Sequence, residues 1–150
     1  MFPQMVGDYF DFCADYYRQH GYRCNMLNVG YRIAQDDSSL FSYSYDGVVM
    51  TVDPVATGDD GWQDFLEAYN EFCSERGGRP LFNQTRWLTP EQARKAFGDK
   101  LDRFNEIRHH YDPHDRLLND FFAGFFPPAS TVTSSAPAPR PARSAETGTP

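Results

Sequence analysis

The highest density of chemically active side chains lies at residues 109–115, which read HHYDPHD. Three imidazoles and two carboxylates within seven residues are side chains of the kind that bind metal ions. Neighbours on a helix point about 100° apart, so His109 and His110 would face different directions, and Asp112-Pro113 would then turn the chain. We therefore predict no metal site and interpret the segment as a solvated helix end, where imidazoles are favourable. Metal binding is the less favoured alternative.

The sequence has few other signatures of catalysis. It contains no Gly-x-Ser-x-Gly elbow, no Gly-x-Gly-x-x-Gly and no phosphate loop. Its three cysteines, at positions 13, 24 and 73, form no Cys-x-x-Cys pair, which is typical of buried free thiols. The remaining candidates are polar residues placed where a sheet or a helix end could face a ligand: Arg32, Asn83, Gln84 and Asn119. Taken singly, each is more typical of a surface or a turn.

Composition narrows the class of protein. The chain has 150 residues and a formal net charge of −7, which argues against nucleic-acid and anionic-membrane surfaces. No apolar run approaches the roughly 18 residues of a membrane span, and the N-terminus lacks the pattern of a secretory signal, so we expect a cytoplasmic protein. All aromatic residues fall within residues 1–126, whereas residues 127–150 hold six of the eleven prolines. We expect one ordered unit at 1–126 and a disordered tail at 127–150.

The elements that would position these residues can be predicted from periodicity. Apolar residues at three- and four-residue steps predict helices at about residues 5–20, ended by Gly21, and 62–73, ended by Gly77-Gly78. Asp60 and Gln63 resemble a capping box for the second of these. Thr89-Pro90-Glu91-Gln92 predicts a short helix that stops at Gly98, and a further helix should run to Asp112-Pro113.

Between the helices the apolar period changes to two. Alternation at residues 31–33, 41–45 and 48–52 predicts a β-meander, and residues 79–86 are predicted as another strand. The order of elements predicts an α+β domain in which helices pack on an antiparallel sheet. Two aromatic sets, at positions 9, 12 and 16 and at 121, 122, 125 and 126, are expected to be partly exposed, because they are too aromatic for a small free-standing domain to bury completely.

Several segments together carry a family resemblance. They are VGYRIAQDD at 29–37, GGRPLFNQ at 77–84, FNEIR at 104–108 and YDPHDRLLN at 111–119. In combination they resemble the C-terminal part of FAD-linked oxidoreductases of the vanillyl-alcohol-oxidase type. The nearest members are the D-arabinono-1,4-lactone oxidase and alditol oxidase group, and the resemblance extends over about residues 8–126.

The resemblance implies a function and a partner. Residues 1–126 would be a truncated cap, or substrate, domain followed by a C-terminal helical segment. FAD would be bound mainly by a domain or subunit that this chain does not contain, so the chain alone should be inactive. The parent enzyme would oxidise the CH–OH group of an alcohol, polyol or sugar lactone, with hydride transfer to the flavin.

The resemblance also implies roles for individual residues. Arg32 matches a strand arginine that favours negative charge on the reduced flavin and the substrate, and Gln84 stands where many members have a lysine near the flavin. Asn119 matches an asparagine close to the active site, and Gly30 stands where alditol oxidases have a carboxylate. We expect Arg32 and Gln84 to be catalytic and Gln84 and Asn119 to contact FAD. The alternative is a stand-alone α+β module that binds a ligand or a protein without catalysis.

Overall fold

The computed structural model describes residues 2–126 of the chain, so the tail predicted at 127–150 lies outside the described residues. Five helices and two short strands occur in this range: α1 (Phe2–His20), β1 (Arg32–Ile33), β2 (Val49–Met50), α2 (Trp62–Glu75), α3 (Pro90–Phe97), α4 (Asp99–Tyr111) and α5 (Asp120–Ala123). The predicted α+β class is confirmed. The helices make up most of the regular structure, and the sheet is smaller than the alternation predicts.

Local sequence signals explain most helix ends. Helix α2 closes in a Schellman motif, in which Gly78 N–H donates to Cys73 O at 2.8 Å and Gly77 N–H donates to Ser74 O at 3.2 Å. Gly77 adopts the left-handed conformation that this motif requires, with φ of 71°. Helix α3 begins with the predicted capping box between Thr89 and Gln92.

The predicted cap of α2 is wrong. The N-cap is Gly61, which is left-handed and has no side chain to accept a hydrogen bond. Gln63 instead donates to Glu67 one turn further along the helix, at 2.8 Å. A glycine reaches the positive φ of this turn without the steric cost that Asp60 would bear, so backbone geometry decides where the helix starts.

The β-meander is reduced to one antiparallel pair, in which Arg32 lies opposite Met50 and Ile33 opposite Val49. The predicted strand at 41–45 is wrong, because these residues form turns in which Ser42 N–H donates to Ser39 O and Tyr45 N–H to Ser42 O. The turns place the Phe41 ring between the helices, where it meets Phe97 at 5.3 Å. The alternation of apolar residues does not distinguish an aromatic side chain that packs in a helical core from one on a strand.

Helices α1 and α2 pack through an aromatic cluster. The rings of Phe12 and Phe72 lie 4.8 Å apart, and Tyr16 meets Phe65 edge-on at 5.2 Å. Tyr9, 1% exposed, donates from its hydroxyl to Asn28 at 2.8 Å and so ties α1 to the loop before the sheet. The aromatic set at positions 9, 12 and 16 was expected to be partly exposed. This expectation is wrong for Tyr9 and Tyr16, because α2 covers them.

A second core lies around α3, α4 and the C-terminal residues described. Its buried members are Ala93, Phe97, Leu101 and Phe126, surrounded by half-buried aromatic and aliphatic side chains. The expected exposure of the C-terminal aromatic set holds for Phe121, at 40%, and in part for the half-buried Phe122 and Phe125, but it is wrong for Phe126, which is 2% exposed. Within residues 2–126, none of the helices combines the length and the apolar character needed to cross a membrane.

Candidate functional site

Arg32 lies on the open face of the small sheet. Residues opposite each other in an antiparallel pair share a face, so Arg32 lies on the same side as Met50, and both are exposed. Val48, two residues from Met50, is also exposed, whereas Ile33 and Val49 on the other side are half-buried. The guanidinium is therefore presented to solvent next to aliphatic surface.

Gln84 lies in a turn, not on a strand, which corrects the prediction for residues 79–86. Gln84 N–H and Thr85 N–H both donate to Leu81 O, at 2.9 and 2.8 Å, so the backbone satisfies its hydrogen bonds within the loop. The preceding Gly77-Gly78 ends a helix, and the loop that follows cannot pair with the sheet while it closes on itself. Apolar residues next to turn-forming residues therefore did not indicate a strand here.

Two further contacts hold this loop in place. The buried Asn70 side chain of α2 donates from Nδ2 to Arg86 O at 2.9 Å. At the other end of the loop, Arg79 pairs with Asp46, and this guanidinium lowers the pKa of the Asp46 carboxyl. The loop is thus held by an ion pair at its start and by a hydrogen bond to its backbone at its end.

A groove of about 260 Å³ separates the loop from α5. Its lining residues are Phe82, Asn83, Gln84, Thr85, Arg86 and Phe121. Gln84 therefore shares a surface with the helix that Asn119 begins. Arg32 does not line this groove.

Asn119 has a clear structural role as the N-cap of α5, with its Oδ1 accepting from Phe122 N–H at 2.9 Å. The side-chain N–H groups of Asn119 remain on an exposed residue. Within residues 2–126, no hydrogen bond or ion pair joins the side chains of Arg32, Gln84 and Asn119 to one another.

The Asp-Pro segment at 112–117 also has structural functions. The buried carboxylate of Asp112 accepts from Arg116 N–H and Leu117 N–H, both at 2.8 Å. Arg108, whose side chain is 9% exposed, pairs with Asp115 and donates to Asn105 at 2.9 Å. These contacts turn the chain from α4 back toward α5.

The histidines of this segment are dispersed. His109 Nε2 lies 2.6 Å from the Arg108 guanidinium, and the His110 ring packs edge-on against Tyr111 at 4.8 Å. Across residues 2–126, no group of three or more His, Cys, Asp or Glu side chains is arranged to hold a metal ion.

The structure also reveals a groove that sequence reasoning missed. It lies between α1 and α2, has a volume of about 540 Å³, and is rimmed by Asp8, Asp11, Asp15, Glu71 and Glu75. Arg76 lies in it, with its guanidinium 4.0 Å from the centre of the Phe72 ring. Acidic residues at 8, 11 and 15 share one face of α1, which is the signal that could have indicated it.

The cysteines are free and half-buried. Burial raises the pKa of the Cys24 and Cys73 thiols to about 11. Both thiols are therefore protonated at neutral pH, which makes them poor nucleophiles. The prediction of free thiols agrees with this arrangement.

The described residues do not form a complete FAD site. The smaller groove lies below the roughly 300–1,000 Å³ typical of pockets for drug-sized ligands. The larger groove has room, but its five carboxylates would repel a diphosphate. Arg32 fits a contact to a negatively charged ring, because its guanidinium is exposed on an open face.

The position of Gly30 is compatible with its departure from the alditol oxidase pattern. A Cβ at Gly30 would lie 3.3 Å from Thr51 O on the paired segment. Because this approach is closer than ordinary van der Waals contact, a carboxylate-bearing residue would need the neighbouring backbone to shift.

Comparison with known proteins identifies the family to which the chain belongs. The chain matches the family model described as D-arabinono-1,4-lactone oxidase over residues 15–124. No curated protein and no solved structure matches it. The matched range includes β1 with Arg32, the loop of Gln84 and the cap residue Asn119. The chain therefore belongs to the D-arabinono-1,4-lactone oxidase family, whose members are FAD-dependent oxidoreductases.

Proposed function

We propose that residues 1–126 form the substrate domain and C-terminal region of an FAD-dependent oxidoreductase that oxidises a CH–OH group of an alcohol, polyol or sugar lactone. The observation that carries this proposal is the family match over residues 15–124. It covers both strands, the loop of Gln84, and helices α2 to α5 in full.

Arg32 is the residue to which we assign charge stabilisation. An arginine side chain carries a positive charge that is delocalised over a planar guanidinium. Arg32 is exposed beside Met50, on a face that a flat ligand or a second domain can reach. A positive charge at that place favours negative charge that develops during oxidation of the substrate.

Gln84 and Asn119 are assigned to binding the cofactor. The Gln84 amide is exposed on a backbone held by Leu81 and, through Arg86, by Asn70. It can donate a hydrogen bond but cannot neutralise a negative charge. Asn119 uses its oxygen as a helix cap and keeps its N–H groups for a ligand.

FAD, when bound, would supply the hydride acceptor. Because the described residues offer no cavity for the whole dinucleotide, we propose that most of its contacts come from an FAD-binding domain or subunit outside residues 1–126. Val48 is 52% exposed and Met50 is 41% exposed, so they provide apolar surface that such a partner can cover. We also place the protein in a reducing cytoplasm, which suits its free cysteines.

Reassembly tests the proposal. The chain is produced together with the FAD-binding domain of another member of the D-arabinono-1,4-lactone oxidase family. The purified complex is then examined for flavin absorbance and for bleaching of the flavin by sugar lactones or alditols. We expect a yellow complex that is reduced by such a substrate, whereas the chain alone binds no flavin. Co-purification without flavin, or no association at all, would favour the stand-alone binding module.

A further inference from the structure

The groove between the loop at 82–86 and α5 is a preformed surface. Leu81 N–H donates to Thr85 Oγ1 at 3.2 Å, and Leu81 O accepts two backbone N–H groups from the same turn. The Asn70 side chain of α2 donates a hydrogen bond to Arg86 O. Because the backbone is anchored by these bonds, a ligand would not need to order the loop, which lowers the cost of binding.

The polar side chains of the groove are free to bind. Asn83, Gln84 and Arg86 are exposed, and their side chains make no hydrogen bond or ion pair within residues 2–126. All three side chains border the groove, whose surface is mostly apolar. A guanidinium offers several N–H donors in a planar fork that matches a carboxylate.

Aromatic rings form the apolar part of the groove. Phe82 is held by the rings of Phe97 at 5.1 Å and Phe125 at 5.4 Å, so its position is fixed by the core. Phe121 stands nearly perpendicular to Phe82, with ring centres 6.4 Å apart, and is 40% exposed. Rings in this arrangement can contact a flat ligand through their edges and faces.

The charge of the groove differs from that of the chain. The net charge of the chain is −7, yet Arg86 is the only charged residue among those that line this groove. We propose that the groove binds a small carboxylate that carries a flat or ring-shaped apolar part, with Arg86 pairing the carboxylate and Phe82 and Phe121 contacting the ring. Its volume of about 260 Å³ suits a ligand smaller than a typical drug.

This inference goes beyond the proposed function, because it concerns a site for an anion and requires no flavin. If Gln84 also contacts the cofactor as proposed above, the carboxylate would bind beside it. Failure of flavin reduction in the reassembled enzyme would leave the carboxylate site intact, and failure of carboxylate binding would leave the family assignment and the flavin proposal intact.

The test is a titration of the full 150-residue chain with benzoate. The amide chemical shifts in ¹H–¹⁵N NMR spectra report where benzoate binds and how tightly. We expect shifts concentrated at residues 82–86 and 121 and a Kd of about 1–10 mM, as for a small, solvent-exposed site. Benzamide, which has the same ring without the charge, and acetate, which has the charge without the ring, should each bind at least about three-fold more weakly.

Variants complete the test. Arg86→Gln should raise the Kd for benzoate about three- to five-fold, the modest effect expected of an exposed ion pair, and Arg86→Lys should give an intermediate value. Arg23→Gln removes the same charge from an exposed position outside the groove and should leave the Kd unchanged. Equal binding of benzamide and benzoate, equal effects of the two glutamine variants, or shifts centred on the α1–α2 groove would overturn the proposal.

Discussion

The carboxylate of Asp112 accepts a hydrogen bond from the backbone N–H of Leu117 at 2.8 Å, across a chain reversal that includes Pro113. Its second oxygen accepts from Arg116 N–H at the same distance. Asp112 is 6% exposed, so its carboxylate is enclosed by the turn, and its removal would leave both N–H groups without this acceptor. The Asp-Pro motif that contributes to the family resemblance is therefore explained in this chain by folding.

Asp112→Ala should lower the free energy of unfolding by about 2–3 kcal/mol, since it leaves two backbone donors unsatisfied in a partly buried turn. Asp112→Asn keeps one acceptor oxygen and should lose about half as much. Urea denaturation followed by circular dichroism measures both. A loss below about 0.5 kcal/mol for the alanine variant would show that water replaces the carboxylate.

The capping box of α3 should contribute measurable stability. Thr89 Oγ1 accepts from Gln92 N–H at 3.1 Å, and Gln92 Oε1 accepts from Thr89 N–H at 3.1 Å. Thr89→Ala removes the first bond and should cost about 1 kcal/mol, whereas Thr89→Ser retains the hydroxyl and should cost little. The comparison of the two midpoints in urea isolates the cap from other effects of the substitution.

The aromatic cluster between α1 and α2 should dominate the stability of that half of the domain. Phe65 is 1% exposed and contacts the rings of Phe12 and Tyr16 at 5.6 and 5.2 Å. Phe65→Ala should cost about 3–5 kcal/mol. Phe10→Ala, at a position 60% exposed on α1, serves as the control and should change stability by less than about 0.5 kcal/mol.

Stability should fall in alkaline solution. Burial raises the pKa of Cys73 from an ordinary value of 9.0 to about 11, so the folded state holds this proton more tightly than the unfolded state. The contribution is complete below pH 9 and is lost as the pH rises to about 11, by up to about 2–3 kcal/mol. Burial also raises the pKa of the Tyr9 and Tyr69 hydroxyls, which extends the loss above pH 10.

Urea midpoints at pH 8 and pH 11 measure this effect. Cys73→Ala removes the thiol and should show a smaller fall between the two values than the unmodified chain. An identical fall in both proteins would show that the Cys73 thiol titrates normally in the folded state.

Arg32 and Gln84 are predicted to affect the flavin differently in the reassembled enzyme. Arg32→Ala should slow flavin reduction by substrate about 10²- to 10³-fold while FAD stays bound, because one preorganised charge is lost where negative charge develops. Arg23→Ala, also exposed but away from the sheet pair, is the control. Stopped-flow absorbance gives the rate, and an unchanged rate for Arg32→Ala would make the arginine structural or irrelevant.

Gln84→Lys should raise the reduction potential of the bound flavin, since it adds a cation where the amide cannot neutralise charge. Spectroscopic titration against a dye of known potential measures the change. Gln84→Met, which removes the polar group without adding charge, should not raise the potential.

Several elements of this protein follow from local sequence. The stripe of α1 with Gly21, the Thr89–Gln92 box, the stop at Gly98 and the break at Asp112-Pro113 were all predictable, because caps, glycines and prolines act through neighbouring backbone. The motifs of Arg32, Gln84 and Asn119 also pointed to the family that the match over residues 15–124 shows.

Tertiary structure decided the rest. Phe41 and Phe82 have the pattern of strand residues, but their rings enter a helical core 5.1 Å from each other, and the backbone around them forms turns. Burial of large rings outweighs the weak local preference for a strand. Likewise, only the folded chain brings Arg86 of the loop and Phe121 of α5 to one groove, because residues 35 positions apart meet through packing that no local pattern encodes.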